Sequence, residues 1–452
     1  MPYDYLAIAG GSVDSGLRVV DASSQDYAAC CTMCNLALRF DPAWIAYPYS
    51  EIEVVEAVSR AVAEKLPIAV RSGGHDYEGF STNDGGAVID MSRCDAVRVH
   101  GRDRCIVGPG VQLRKLYHTL FSYNGLSLPG GTCASVGVAG LTLGGGFGNL
   151  SRRHGLLCDR LRRVRMVDAR GRVWDTDRDD EAADLLWACR GGGGGNFGVV
   201  TEFEFEPVSV PLMVTSFSYK WNWSEPAIRA LFRAYEAWLP TAPREIGATL
   251  VITGKSWNTL HFFGQSLASE EETRAVLSSV TESVSDPTEN ATATVPFLSE
   301  MERYAGNDFA SSSWKMASSF SKDAISEEGL AAMITALSET PGAALIEFDA
   351  LGGAVAEIDP RATAFPHRDQ RLMWQYQTYW ANPEEAAACR AWISAAFLAI
   401  DPFTSRVSYR NYCDLNLADW QQRYYGANYP RLQQIKGALD PENVFRYPQS
   451  IR

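Results

Sequence analysis

The sequence predicts an α+β fold that is divided into two domains. Its 452 residues exceed what one hydrophobic core usually serves. Candidate helices and strands alternate up to residue 206, which is typical of a mixed domain. At Pro207 and Pro211 the pattern changes to longer strand-like segments between helices. We therefore expect a first domain over 1–206, a second over 207–400, and a return to the first over 401–452.

The elements of the first domain begin with a helix signal. Ser50 stands at an N-cap position with Glu53 three residues later, a capping-box pattern. The helix that follows is predicted to bury a stripe formed by Ile52, Val55, Val58 and Val62. Runs rich in β-branched residues then predict strands at 68–70, 88–90, 97–99 and 105–107, followed by a helix over 111–120.

Later segments continue the alternation. A hairpin is predicted with strands 164–167 and 173–174 around a turn at 168–171. A short helix over 184–187 and an alternating strand over 199–205 complete the first domain. In the second domain we expect strands at 214–219, 248–253 and 344–348, and helices at 227–238 and 270–280.

Composition limits the possible partners. The chain is 46% hydrophobic and 21% charged, as in an ordinary globular protein, with no apolar run near the eighteen residues of a membrane span. A net charge of −13 argues against a nucleic-acid partner, which needs a basic face. The first residues lack the basic and apolar regions of a secretory signal, so we expect a cytoplasmic protein or a mature secreted form. We expect a monomer that acts on a small molecule.

Ten cysteines are too sparse for a disulfide scaffold, and most are predicted to be buried thiols. Cys30, Cys31 and Cys34 lie close together in the sequence. No second pair of Cys or His residues follows at the spacing of a zinc site, so no metal site is predicted.

Three glycine-rich stretches, at 71–79, 130–148 and 191–195, indicate a cofactor site. In the first, a Gly-Gly turn after a strand presents one histidine on tight backbone. The others leave rows of bare amides, which suit a pyrophosphate group because they solvate its charge without side chains. One such run alone is as easily a plain loop. Three of them favour a phosphate-bearing cofactor.

These stretches carry a family resemblance. The motifs Arg-Ser-Gly-Gly-His-Asp-Tyr-Glu-Gly at 71–79, Gly-Gly-Thr-Cys-x-x-Val-Gly-x-x-Gly at 130–140 and Tyr-Arg-Asn-Tyr at 409–412 resemble the berberine bridge enzyme-like branch of the vanillyl-alcohol-oxidase-type flavoproteins, which includes the oligosaccharide oxidases. The match also includes 144–152, 187–191, 196–201 and 365–368, in order along nearly the whole chain. The resemblance implies an FAD-binding domain built from both chain ends. It also implies an inserted antiparallel-sheet domain, backed by helices, that covers the flavin.

The resemblance further implies a flavin attached at two points. A lone histidine on a Gly-Gly turn is ordinarily a capping or surface residue, but His75 matches the residue joined to the flavin 8α-methyl carbon and Cys133 the residue joined to C6. Val136 matches a position beside flavin C4a where a small side chain is associated with oxygen access. The remaining expected FAD contacts are Arg71, Ser72, Gly73, Gly74, Asp76, Gly137, Gly140, Gly145, Gly148, Val200 and Asn411.

The family pattern also implies the catalytic residues. Tyr412 matches the catalytic base, and Asp349 matches a position facing it from the inserted domain. A tyrosine has an ordinary pKa near 10, so positive or hydrogen-bonding groups must favour its phenolate, or a carboxylate must receive the proton. From the residues alone, 409–412 also fits an edge strand and Asp349 a strand end. Substrate contacts are expected from Tyr77, Gln375 and Tyr409.

The function that follows from the resemblance is an FAD-dependent oxidase. It would oxidise C1 of a reducing mono- or oligosaccharide to a lactone, pass a hydride to flavin N5 and reduce O2 to H2O2. A tailoring oxidase of a secondary metabolite is the alternative enzyme. A flavin-fold binding protein without turnover is disfavoured, because it would have no chemical need for His75, Cys133, Asp349 and Tyr412 together.

Overall fold

The computed structural model describes residues 16–305 and 312–452, so the start of the chain lies outside the described residues. The first part of the chain contains ten short strands and six helices. The strands are β1 Arg18–Asp21, β2 Trp44–Tyr47, β3 Ile68–Arg71, β4 Ala87–Asp90, β5 Val97–His100, β6 Arg104–Val107, β7 Leu126–Ser127, β8 Leu161–Val167, β9 Val173–Asp175 and β10 Val199–Phe205. The helices are α1 Tyr27–Cys30, α2 Glu51–Ala63, α3 Leu113–Asn124, α4 Val138–Leu143, α5 Ser151–His154 and α6 Ala183–Ala188.

All of these strands except β7 form two sheets. The first has the order β1-β2-β4-β3, with β2, β4 and β3 parallel. The second has the order β5-β6-β10-β8-β9 and is antiparallel. The predicted hairpin is the β8–β9 pair, in which Asp168 accepts hydrogen bonds from the backbone of Arg170 and Arg172. The glycine-rich stretch at 71–79 follows directly from β3.

Helix α2 begins where its sequence predicts, and its predicted buried face is confirmed in part: Val58 is buried, Val55 and Val62 pack half-buried against the core, and Ile52 does not. Ser50 caps the helix by accepting a hydrogen bond from the Glu53 amide. Glu53 in turn accepts from the amide of Tyr49 at 2.6 Å. Ile52 is 80% exposed, and the buried stripe consists of Val54, Ala57, Val58 and Ala61. The small alanines at this spacing let the helix backbone approach the sheet closely, which a valine stripe would not.

The middle of the chain builds one seven-stranded antiparallel sheet, in the order β15-β12-β14-β13-β17-β18-β16. After β11 Val208–Ser209, which pairs with β7, its strands are β12 Met213–Trp221, β13 Ile246–Thr253, β14 Leu260–Ser266, β15 Glu289–Pro296, β16 Ser313–Ser321, β17 Ala343–Ala350 and β18 Leu372–Trp380. The helices of this part are α7 Glu225–Trp238, α8 Glu270–Thr281, α9 Phe297–Ala305, α10 Glu327–Ser338 and α11 Ala386–Ile400.

The two faces of this sheet differ in chemistry. On one face, Phe348 and Trp374 pack edge to face in the hydrophobic core with Phe232 of α7. Because side chains alternate along a strand, Asp349 of β17 and Gln375 of β18 point to the opposite face. That face meets the first part of the chain and carries the polar residues of the candidate site.

The C-terminal residues return to the first domain. They form helices α12 Trp420–Tyr425 and α13 Tyr429–Leu439. The buried Lys436 ammonium donates to the carbonyl of Asn196 at 2.7 Å, and Tyr425 donates to the carbonyl of Gly192 at 3.0 Å. Phe445 forms a parallel bridge with Ile68 of β3. The predicted α+β class, with one domain built from both chain ends and an inserted antiparallel sheet, is confirmed, whereas the boundaries at 206 and 400 stay predictions.

One apolar helical stretch departs from the sequence expectation. Among the described residues, Pro383–Phe403 is long and apolar enough by length and composition to cross a membrane, and 33% of its most apolar window is buried. Within the fold, Ile393 and Phe397 of α11 belong to the hydrophobic core, and Phe397 meets Tyr376 of β18 edge to face. The helix therefore backs the seven-stranded sheet.

Candidate active site

Two of the glycine-rich stretches touch each other through their backbones. A Cβ atom added at Gly73 would lie 2.4 Å from the amide nitrogen of Gly137, and one added at Gly137 would lie 2.1 Å from Ser72 Oγ. A Cβ at Gly148 would lie 1.7 Å from the carbonyl oxygen of Gly130. No side chain fits at these positions without moving backbone. The glycines therefore bring the loop after β3 against the loop that leads into α4.

Other glycines border open space. A Cβ added at Gly140 would meet no atom within 4 Å, and at Gly194 the nearest atoms are 3.8 Å away, one of them the Gly140 Cα. Gly145, Gly191 and Gly193 have φ angles of 129°, 118° and 89°, which other residues rarely adopt. The amides of these three glycines already donate to the carbonyls of Thr142 and Leu143. Gly140 and Gly194 therefore border the open part of a groove between α4 and the loop 191–195.

His75 and Cys133 lie on the two loops that the glycines bring together. His75 Nε2 lies 2.9 Å from the hydroxyl oxygen of Ser135, two residues after Cys133. Both nucleophiles are half-buried. Val136 is half-buried on the same loop, and its amide donates to the carbonyl of Cys133. The predicted attachment residues thus lie on adjoining loops.

The side chains of three predicted cofactor contacts form hydrogen bonds within the protein. Arg71 donates to Asp90 at 2.5 Å and to the carbonyl of Cys30 at 2.9 Å, and it is 5% exposed. Ser72 donates to the carbonyl of Pro109. Asp76 accepts from the backbone amides of residues 78 and 80. These contacts shape the loop, while Arg71 Nη1 is buried without a hydrogen-bond partner among the described residues and stays available to a cofactor.

Gly74 and Val200 determine the course of the backbone around the groove. Gly74 has a φ of 71°, which makes the turn before His75. Val200 is 4% exposed and pairs with Met166 between β10 and β8. It belongs to the sheet that supports the groove.

Asn411 is fixed against α4. Its side-chain amide donates to the carbonyl of Leu141 and to the phenol oxygen of Tyr409, both at 3.0 Å. A Cβ added at Gly144 would lie 1.9 Å from Asn411 Oδ1, so that glycine is needed to admit the amide. Asn411 therefore faces the groove from a defined position.

Tyr409 does not have the geometry of the predicted substrate contact. It is 2% exposed, and its phenol oxygen accepts from the amide of Gly146 at 2.8 Å as well as from Asn411. Burial is the main cause that raises its pKa. We interpret Tyr409 as a residue that positions Asn411 and the turn that follows it.

Tyr412 ends a 3-10 turn over Arg410–Tyr412, not an edge strand. Its ring stacks on that of Tyr77, with centroids 5.3 Å apart and planes 4° from parallel. Burial, then the neighbouring Tyr77, Asp349 and Glu347, raise the pKa of Tyr412 well above its ordinary value. The phenol therefore holds its proton firmly until a base removes it.

Asp349 faces this phenol from β17. Its carboxylate accepts a hydrogen bond from the hydroxyl of Thr249 at 2.7 Å, and the residue is 4% exposed. Burial, and then the charge of Glu347, raise the pKa of Asp349 well above its ordinary value. Asp349 and Tyr412 act on each other electrostatically, and Asp349 is a stronger proton acceptor than a solvated carboxylate.

The wall opposite Tyr412 is a row of polar side chains on β17 and β18. Gln375 donates to the hydroxyl of Tyr77 at 2.5 Å. Tyr379 donates to Gln377 at 2.5 Å, and Gln377 donates to Glu347 at 3.0 Å. The sequence reasoning missed Glu347 and Gln377. Because side chains alternate along β17, Glu347 lies on the same face as Asp349, two residues away. This alternation could have identified Glu347 from the sequence.

A buried charge cluster joins the three segments that form the site. The ammonium of Lys315 on β16 is bound by Asp414 at 2.6 Å and by Glu78. Glu78 follows Tyr77, and Asp414 lies two residues after Tyr412. All three side chains are at most 7% exposed. The cluster therefore fixes both stacked tyrosines relative to the seven-stranded sheet.

Comparison with known proteins shows which family the chain belongs to. Residues 42–177 match a family model described as an FAD binding domain, and residues 408–452 match one described as berberine and berberine like. The first match contains both glycine-rich loops with His75 and Cys133, and the second begins just before Tyr409.

Full-length relatives have been found in bacteria and fungi. The chain is 33% identical to the uncharacterized FAD-linked oxidoreductase YgaK of Bacillus subtilis, over 96% of each protein. It is 30% identical to glucooligosaccharide oxidase of Sarocladium strictum, over 92% of this chain and 88% of the relative. Among solved structures, BBE-like 1 from Physcomitrella patens superposes with a TM-score of 0.91 at 27% identity, over 97% of each chain.

Proposed function

Because the chain belongs to the berberine bridge enzyme-like family of FAD-linked oxidoreductases, we propose that it is a carbohydrate oxidase. It oxidises the C1 hydroxyl of a reducing mono- or oligosaccharide to a lactone and reduces O2 to H2O2. The observation that carries this proposal is the arrangement of the site, a crevice in which the stacked Tyr77 and Tyr412 face Asp349 and Gln375 of the seven-stranded sheet beside the two cofactor loops.

The groove fits FAD. Open space beside Gly140 and Gly194 accepts a diphosphate on backbone amides, and His75 and Cys133 offer two nucleophiles on adjoining loops. We propose that both are covalently joined to the flavin and that Asn411 lies against it. When bound, FAD supplies the two-electron acceptor for hydride at its N5 and returns the electrons to O2. A tethered cofactor does not need to be enclosed, so the site can stay open to a bulky sugar.

Tyr412 is the proposed base that takes the proton of the sugar hydroxyl. Its raised pKa makes the phenolate a strong base but a rare one, so the proton must leave the phenol as substrate reacts. Asp349 is the proposed acceptor of that proton. Burial raises the pKa of its carboxyl above that of a solvated carboxylate, which makes Asp349 a better acceptor for this proton.

The remaining side chains orient the sugar. Tyr77 presents a ring to the crevice, and an aromatic face suits the C–H surface of a sugar ring. The Gln375 amide donates to Tyr77 and to Met316 Sδ, and its carbonyl oxygen can accept from a sugar hydroxyl. Both are held by the sheet or the charge cluster, which limits the entropy lost when substrate binds.

The proposal is tested by assaying peroxide release from the purified protein with reducing mono- and oligosaccharides. Each sugar is paired with its methyl glycoside, which lacks the free C1 hydroxyl. Release with the free sugar and not with the glycoside supports C1 oxidation. Silence on every sugar, together with turnover of another hydroxyl compound, overturns it in favour of a tailoring oxidase of a secondary metabolite.

A further inference from the structure

The crevice contains an acid that the proposed reaction does not use. Glu347 lies two residues before Asp349 on β17, on the same face of the sheet, and it is half-buried. Its cross-strand neighbours are Val251 on β13 and Gln375 on β18, neither of which is charged. Within the described part of the chain, no lysine or arginine forms a salt bridge with it. The Lys315 ammonium of this region is already bound by two other carboxylates.

The orientation of Glu347 is fixed by a relay. Tyr379 donates to Gln377, and Gln377 donates to Glu347 Oε2 at 3.0 Å. Oε1 takes part in no hydrogen bond among the described residues. One oxygen is therefore held by the protein while the other stays available in a crevice-lining position, which is how a binding group is preorganised.

Aromatic rings surround this carboxyl. Burial is the largest cause that raises the pKa values of Tyr77, Tyr379 and Tyr412, and the charge of Glu347 raises each of them further. Tyr77 also meets Trp314 edge to face, with centroids 4.8 Å apart. A carboxylate among aromatic faces is an environment that favours an organic ammonium group, through ion pairing and cation–π attraction.

We infer that Glu347 is a substrate-binding residue that pairs with a protonated amine, so that the preferred substrate is an amino sugar whose amine lies close to the oxidised hydroxyl. This inference rests on the proposed carbohydrate oxidation and narrows its substrate class. It also resolves an electrostatic conflict in the site. An ionised Glu347 opposes loss of the Tyr412 proton, and a bound ammonium cancels that opposition when the reaction begins.

Three sugars with one ring test the inference. Glucosamine carries the ammonium, N-acetylglucosamine replaces it by a neutral amide, and glucose has a hydroxyl in its place. In mildly acidic buffer, where the amine is protonated, kcat/KM from peroxide release should be highest for glucosamine, by roughly 10- to 100-fold over glucose, as a charge-assisted hydrogen bond allows. Equal or better turnover of glucose or N-acetylglucosamine overturns the inference and leaves the oxidase proposal standing.

The variant Glu347→Gln keeps the size of the side chain and removes its charge. It should lower kcat/KM for glucosamine by roughly 10- to 100-fold, and it should raise rather than lower kcat/KM for glucose, because the charge that opposes loss of the Tyr412 proton is gone. Glu357→Gln, at an exposed glutamate paired with Arg244, is the matched control and should leave the glucosamine preference intact. Loss of activity on both sugars to the same degree would assign Glu347 a structural role.

A binding readout separates this inference from the proposed function. Glucosamine should raise the thermal unfolding temperature of the flavin-loaded protein more than glucose does, and the difference should vanish in Glu347→Gln. If no sugar is oxidised, the oxidase proposal fails, and the thermal shift still decides the role of Glu347. Equal shifts with both sugars in the unmodified protein overturn it.

Discussion

The rings of Tyr77 and Tyr412 lie parallel, 5.3 Å apart, although the two residues are separated by most of the chain. The contact depends on the Lys315 cluster, which binds the residue after Tyr77 and the second residue after Tyr412. The proposed base and the proposed sugar platform are thus held by one buried ammonium on the inserted sheet. The cluster links the stability of the domain junction to the geometry of the site.

Replacing the Lys315 ammonium should weaken both the stability of the domain junction and the geometry of the site. Lys315→Met leaves two buried carboxylates without their partner, which costs about 3–5 kcal/mol in the free energy of unfolding. Flavin reduction by substrate should slow as well, because Tyr77 and Tyr412 lose their common anchor. Thermal unfolding and stopped-flow reduction measure the two effects. Lys322→Met, at an exposed lysine paired with Asp369, should leave stability nearly unchanged.

The attachment of the flavin is a separate prediction. Mass spectrometry of the acid-denatured chain should show the added mass of one FAD. His75→Ala and Cys133→Ala should each leave one attachment with an altered absorbance spectrum, because the groove still binds the cofactor. Ser135→Ala, which removes the hydroxyl beside His75 but no nucleophile, is the control and should retain both bonds. Complete release of flavin from the unmodified protein contradicts attachment at either residue.

Oxygen access is predicted to depend on Val136. Val136→Leu should slow reoxidation of the reduced enzyme in air while leaving reduction by substrate nearly unchanged, since the added carbon fills space beside the cofactor loop. Val136→Ala keeps that space and should reoxidise quickly. Stopped-flow absorbance follows the two half-reactions separately. If leucine slows both half-reactions equally, Val136 only packs against the hydrophobic core.

Much of this site could be predicted from sequence, because its motifs are local. The turn before His75 and the glycines around Cys133 need particular backbone conformations, which the residue types reveal. Glu347 was equally within reach through strand alternation. Lys315 was not, because its partners Glu78 and Asp414 lie 237 and 99 residues away and only the tertiary fold brings them together.

Tertiary packing also explains where the structure differs from the sequence expectations. The face of α2 was assigned to its large side chains, but close packing on a sheet selected Ala57 and Ala61 and left Ile52 exposed. Tyr409 lies in a motif beside the proposed base, yet its phenol oxygen accepts a hydrogen bond from the amide of Gly146. In both cases hydrophobicity or motif membership was a weaker guide than the packing partner.

Acid sensitivity is predicted to arise in part from His367. The ring is 6% exposed, its Nε2 lies 3.0 Å from the carbonyl of Tyr424, and burial lowers its pKa to about 4 from the ordinary 6.5. The folded state thus favours the neutral ring, and the unfolded state binds more protons between these values. Stability is complete above pH 6.5 and falls as the pH drops toward 4, by about 3 kcal/mol for this one group.

His367→Gln should reduce that fall, because the amide donates to the same carbonyl without titrating. Thermal unfolding temperatures measured from pH 7.5 to 4 check the slope. His118→Gln, at an exposed histidine beside Glu302, is the control for replacing a histidine at the surface. An unchanged slope in His367→Gln would mean that other groups, such as the half-buried His261, account for the acid sensitivity.

The last prediction concerns the proposed proton transfer from Tyr412 to Asp349. Tyr412→Phe keeps the stacked ring and removes the base, so substrate should reduce the flavin about two to four orders of magnitude more slowly while still binding. Asp349→Asn keeps a group that accepts from Thr249 and removes the proton acceptor, and it should cost less. Stopped-flow flavin reduction under anaerobic conditions gives both rates, with Tyr123→Phe at the exposed surface as a control.

The double variant decides whether the two residues act as a unit. If Asp349 works through the phenol of Tyr412, then adding Asp349→Asn to Tyr412→Phe should slow flavin reduction little further, because residues of one catalytic unit are non-additive. Losses that multiply would instead place Asp349 in substrate binding beside Glu347. A Tyr412→Phe enzyme with full activity would require another base. Tyr77 would be the candidate, since its ring lies against that of Tyr412 and its hydroxyl faces the same crevice, whereas the hydroxyl of Tyr409 is already bound by Gly146 and Asn411.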